Sequence, residues 1–281
     1  MADDTQTPAP GSSLRLSIRH RTTYAYAHPV TFGLQQLRLT PKSRLGQSVL
    51  TWRTHVEGGK RELDYDDHNA NHVMLVSFSG AGHTLSILSE GEVETADTAG
   101  VVGKHAGFTP LWYFLRPTKR TRIGQGVRGI ARGLNAEHGD PIARFHALSA
   151  RIRDAVDWRT GETHAQSDAE ESLSLGAGVC QDHAHIFVAA ARHLGFPARY
   201  VSGYLMMNDR VEQDASHAWA EVHVEPLGWV GFDISNGISP DARYVRVATG
   251  LDYGEAAPIT GVHQGAAGDG TLSVQLQVQQ Q

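Results

Sequence analysis

From Leu14 to about Thr95 the apolar residues alternate in short runs: Leu14, Leu16 and Ile18, then Leu50, Trp52 and Val56, then Val73 and Leu75, then Leu85 and Ile87. Turn material separates them at His28-Pro29, Gly58-Gly59, Asp64 to Asn71 and Gly80 to Gly82. A period of two places alternate side chains on one face of a strand, and the regular punctuation predicts an antiparallel β-sandwich-like module over residues 14–95. Residues 96–109, small and glycine-rich, read as a linker. The period then changes. Asp140-Pro141 is an N-cap with proline at the first helical position, ahead of Ile142, Phe145, Leu148, Ile152 and Val156. Ser167 to Glu170 has capping-box spacing and predicts a short helix ending near Gly176. Ile186, Phe187, Ala190, Ala191 and Leu194 recur at helical spacing, with Gly195 and Pro197 as the stop. Strand-like runs return at Ala198 to Met207, Ala218 to Val224 and Gly228 to Ile234. Leu272, Val274, Leu276 and Val278 alternate as one last strand. Helices followed by strands argue an α+β domain over residues 110–281, with a C-terminal strand, rather than alternating βαβ units.

At 281 residues two domains are the natural expectation. The net charge of −5 is spread over interspersed signs without a basic stripe, which argues against nucleic acid as a partner. Residues 1–13 are acidic and rich in proline and serine, and read as a disordered tail without the basic start and apolar run of a signal peptide. No stretch approaches the ~20 apolar residues of a membrane span. A single cysteine excludes an intrachain disulfide and fits a reducing compartment, so the cytoplasm is expected.

That cysteine, Cys180, stands between the glycine turn Gly176 to Gly178 and the start of a predicted helix. Unpaired N–H groups and the helix dipole there favour an anion, and hence the thiolate that attacks carbonyls. Downstream, His217 enters one predicted strand and Asp233 ends the next. Two antiparallel neighbours joined near Pro226 to Gly228 would set these side chains together, with Cys180 aimed at the imidazole. Nucleophile, base and orienter are the parts needed for acyl transfer. Trp219, Tyr204 and Asp182 are candidate substrate-binding residues. A helix cap is the competing reading for Asp182, and core packing for at least two of Trp158, Trp219 and Trp229. The sixteen histidines include no CxxC pair or HExxH motif, so no metal site and no cofactor are expected.

The motifs GVCQD at 178–182, LGFPARYVSGY at 194–204, SHAWAEV at 216–222 and GWVGFDISNG at 228–237 resemble those of the bacterial transglutaminase-like superfamily. Its fold is related to that of papain-type cysteine proteases. RHRTTYAY at 19–26 and DHNANHV at 67–73 resemble the β-rich module that precedes the domain in bacterial members. The resemblance implies a thiol enzyme acting on the amide or isopeptide bonds of peptides or proteins, with Cys180, His217 and Asp233 matching the triad. Both hydrolases and acyltransferases occur among its members. Two positions depart from the family pattern: Ile234 follows the aspartate where proline is usual, and Ala70 precedes Asn71 where glycine is usual. The alternatives are a non-catalytic peptide-binding module that keeps the cleft, and a metal-dependent hydrolase.

Overall fold

A computed structural model describes residues 13–28, 30–80, 84–265 and 271–281. The expected N-terminal tail lies outside them except for Ser13, which opens the first strand. Strands β1 (Ser13–Ala25), β2 (Val30–Thr40), β3 (Gln47–Glu57), β4 (Lys60–Asp66), β5 (His72–Gly80) and β6 (Thr84–Ala96) form the N-terminal half. Three departures from the sequence reading stand out. β2 carries no simple alternation. β4 falls partly in expected turn material, because it is a charged edge strand whose only apolar side chains are Leu63 and Tyr65. The expected linker contains a third departure, β7 (Val101–Gly103), paired with the sheet of the C-terminal half.

The helices follow: α1 (Gln125–Ala131), α2 (Leu134–Glu137) and α3 (Pro141–Ala155), then β8 (Asp157–Trp158), α4 (Ala169–Leu175), β9 (Ala177–Gly178) and α5 (Cys180–His193). Asp140 caps α3 by accepting from the Ala143 N–H at 2.8 Å. The capping box of α4 sits one residue later than its spacing suggested. Asp168 and Glu171 exchange the two bonds at 2.9 Å each. Glu170 instead accepts from the backbone N–H groups of Gly124, Gly126 and Val127, satisfying donors at the start of α1. The chain closes with β10 (Ala198–Leu205), β11 (Glu212–Gln213), β12 (His217–Val224), β13 (Gly228–Phe232), β14 (Tyr244–Gly250), α6 (Tyr253–Ala256), β15 (Ile259–Gly265) and β16 (Thr271–Gln280).

Three larger sheets result, in the orders β11-β16-β1-β6-β3, β15-β2-β5-β4 and β14-β10-β12-β13-β7. The predicted C-terminal strand forms, but in the N-terminal half: β16 lies antiparallel to β1, and β15 to β2. Residues 259–265 and 271–280 therefore complete the β-sandwich and not the 110–281 domain expected from the sequence. The reason is burial, since Leu276 and Val278 join Leu16, Ile18 and Val93 under one cover. That same face of the first sheet packs at one end on the second sheet, through Leu85 and Ile87. Its other end packs on the sheet of the C-terminal half, through Tyr204, Val245 and Val247.

β14 is an edge strand, and two side-chain amides from the N-terminal half cap its open edge. Gln47 donates to the Arg246 carbonyl at 3.0 Å and accepts from the Arg246 N–H at 2.8 Å. Asn71 does the same at Thr249, at 2.7 and 2.8 Å. Each amide substitutes for a strand residue and blocks the edge. The loop that carries Asn71 explains one departure from the family pattern. Ala70 has a φ of 61°, in the left-handed region where glycine carries no steric penalty. Ala70→Gly is expected to stabilise the fold by about 1 kcal/mol, read as an increased denaturation midpoint at unchanged slope.

Candidate active site

α5 lies on the sheet of the C-terminal half, where Ala220, Val222, Val230 and Phe232 bury against Ile186, Phe187 and Ala190. This contact fixes where the start of the helix points. Cys180 is its first residue, half-buried, and packs on Tyr200, Ala218 and Ala248 of the sheet. The two-residue parallel pairing of β8 with β9 holds the preceding turn, placing Trp158 opposite Gly178. β12 and β13 are antiparallel neighbours with Ala220 opposite Phe232, so His217 and Asp233 fall near one end of the pair. Their side chains meet: His217 Nε2 lies 2.6 Å from Asp233 Oδ2. Nδ1 is the ring nitrogen left for Cys180.

The electrostatics follow from this geometry. Burial alone would lower the His217 pKa. The charge and hydrogen bond of Asp233, with the nearby Cys180 side chain, outweigh it and carry the value up to about 10. Burial opposes ionisation of Asp233, yet His217, Tyr244 and Asn236 together hold its pKa below the ordinary 3.8. Asp233 Oδ2 accepts from the Tyr244 hydroxyl and the Asn236 side-chain amide, each at 2.7 Å. Neither partner is among the residues singled out from the sequence. Asn236 had a local signal, three residues beyond the aspartate. Tyr244 had none, because β14 is not the strand next to β13.

The candidate substrate residues fare differently. Trp219 is only 2% exposed and stacks beside His217, with ring centroids 6.2 Å apart. It is a wall behind the imidazole and offers no open surface. Tyr204 is 1% exposed and its hydroxyl meets His20 Nδ1 at 3.0 Å, beneath the N-terminal half. It is a contact between the two halves and not a cleft residue. Asp182 is buried as a helix cap, accepting from the Val179 N–H, Thr163 and Ser172. Of the three tryptophans considered, Trp229 is buried under Arg199. Trp158 alone is open, 60% exposed beside the turn that leads into Cys180.

Comparison with known proteins agrees with this architecture. Residues 128–234 match the transglutaminase-like superfamily core, and residues 16–94 match the bacterial transglutaminase-like N-terminal region. An uncharacterised Mycobacterium leprae protein, ML0607, is 28% identical over 265 residues, covering 89% of this chain and 94% of its own length. Rv2569c of Mycobacterium tuberculosis, also uncharacterised, is 29% identical over 278 residues, covering 88% and 87%. The crystal structure of a candidate cysteine protease from Cytophaga hutchinsonii superposes with a TM-score of 0.75 at 20% identity, over 96% of this chain and 91% of that one. At that identity the likeness establishes the fold.

Proposed function

The chain belongs to the transglutaminase-like superfamily, in the bacterial form with its own N-terminal region, and on that premise we propose that it is a cytoplasmic cysteine enzyme cleaving or exchanging amide or isopeptide bonds of peptides. The observation that carries the reading is the 2.6 Å contact of His217 with the buried Asp233, on an imidazole that Cys180 also approaches. In the proposed reaction His217 holds the proton of the Cys180 thiol as an ion pair, and the thiolate sulfur attacks the substrate carbonyl carbon. The C–N bond breaks, and His217 gives its proton to the departing ammonia or amine, leaving a thioester. Water or a second amine then attacks the thioester and surrenders a proton to His217, and the acyl group leaves as acid or amide. Asp233 holds the imidazole orientation and stabilises its charged form. The Cys180 N–H precedes the helical hydrogen-bond ladder and is available to the oxyanion. Trp158 is an apolar platform for the substrate at the entrance.

Hydrolysis is the favoured fate of the thioester. Water at ~55 M outcompetes an amine unless a site holds that amine in attacking geometry. A glutamine-side-chain or isopeptide substrate should therefore yield mainly free acid, even with millimolar primary amine present. Mass spectrometry of ammonia, acid and amide products decides the point, with Cys180→Ala as the blank. Most of the acyl group appearing as amide would make the protein a transferase. Turnover undiminished in Cys180→Ala would remove the thiol mechanism altogether.

A further inference from the structure

On the sheet face away from α5, Glu221 is fully buried in the middle of β12. Two guanidinium groups converge on its carboxylate: Arg199 Nε at 2.6 Å, and Arg246 with Nε at 2.6 Å and Nη2 at 3.1 Å. Both arginines are buried. Beside them opens a small cavity of about 60 Å³, lined by Arg44, Glu221, Asp241 and Arg246, with Leu45 and Pro240 among its apolar walls. Asp241 is already engaged by Arg243, through three contacts of 2.6 to 3.1 Å. Arg44 has no salt bridge among the described residues; its Nε reaches only the Lys42 carbonyl, at 3.5 Å. Four guanidinium groups thus face two carboxylates, an excess of two positive charges, with Arg199 and Arg246 buried and Arg44 and Arg243 half-buried.

Uncompensated buried charge is costly, and guanidinium groups are suited to forked binding of oxyanions. A water needs roughly 10–15 Å³ of such space. The cavity therefore has room for a few waters or one tetrahedral oxyanion. We infer that Arg44 and Arg246 bind a single small inorganic oxyanion, of the phosphate or sulfate class, in this cavity. The cavity lies where residues 44–47, residues 96–102 and the sheet of the C-terminal half meet, so the anion ties the two halves together. This site is separate from the acyl-transfer reading and stands or falls independently of it.

The test is thermal unfolding of the full chain with phosphate or sulfate titrated against chloride at constant ionic strength. Wild type should show a rise in Tm that grows with the logarithm of anion concentration above Kd, reaching roughly 5 °C at a hundredfold excess over Kd. Arg44→Met should abolish the rise and Arg44→Gln should reduce it. Equilibrium dialysis of the unaltered protein with labelled phosphate should find about one ion per chain. An undiminished rise in Arg44→Met, or no bound phosphate at saturation, overturns the inference. A shift just as large in chloride alone would assign the cavity to a halide and also refute it.

Discussion

Cys180→Ala is expected to lower turnover about 10⁶-fold, and His217→Ala by nearly as much, because the parts of a nucleophile–base pair act as one unit. The double variant should therefore be scarcely worse than either single one. Alanine at 180 is well tolerated sterically, since its neighbours are Ala184, Ala218 and Ala248. The loss should therefore appear in turnover while the unfolding midpoint hardly moves. The measurement is initial rate on a peptide amide or isopeptide substrate, with circular dichroism as the check on folding. A His217→Ala variant within tenfold of wild type would dismiss His217 as the base.

Asp233→Asn should cost about 10⁴ in turnover, the scale known for a triad aspartate, with substrate binding little changed. Asparagine nearly preserves the shape but reverses the logic of the site. Asp233 Oδ2 accepts from His217, Asn236 and Tyr244 at 2.6 to 2.7 Å. An NH₂ group in that place faces three donors, whereas its carbonyl can serve them without the charge. His217, whose raised value depends on that charge, should then titrate lower, and the alkaline limb of the pH–rate profile should move to lower pH. The stability contributions have opposite signs with pH. For His217, raised from 6.5 to about 10, the contribution is complete below 6.5 and disappears as pH rises through about 10. For Asp233, held below 3.8, it is complete above 3.8 and disappears as pH falls through the lowered value. Asp233→Asn should flatten both arms of the stability profile. Near-wild-type turnover with an unmoved alkaline limb would reduce Asp233 to a turn residue.

Much of this was readable from local pattern, because the determining physics is local. Alternation marked β1, β3, β5 and β6, and helical spacing with glycine on either side marked α5 and put Cys180 at its start. Antiparallel neighbours with a short turn brought His217 beside Asp233, since β12 and β13 differ by one hairpin. Where the pattern misled, the deciding partner lay far away in sequence. Trp219 and Tyr204 have the composition of a cleft, yet packing against Tyr244 and beneath the N-terminal half buries them. Asp182 spends its carboxylate on groups at 163, 172 and 179, so nothing is left for substrate.

The sequence by itself determined the classes of element, the start of α5 with Cys180 on it and the approach of His217 to Asp233, since each follows from a period, a cap or a short span. Only tertiary structure decided that residues 259–265 and 271–280 return to the N-terminal sandwich and that Gln47 and Asn71 cap the edge of β14. It also decided that Tyr244 and Asn236 complete the shell of Asp233, and that Arg44 gathers with Arg199 and Arg246 around Glu221. The physical reason is the same in each case. Buried backbone groups, carboxylates and apolar faces must find partners, and which of many chemically suitable partners arrives depends on how the strands are ordered in space.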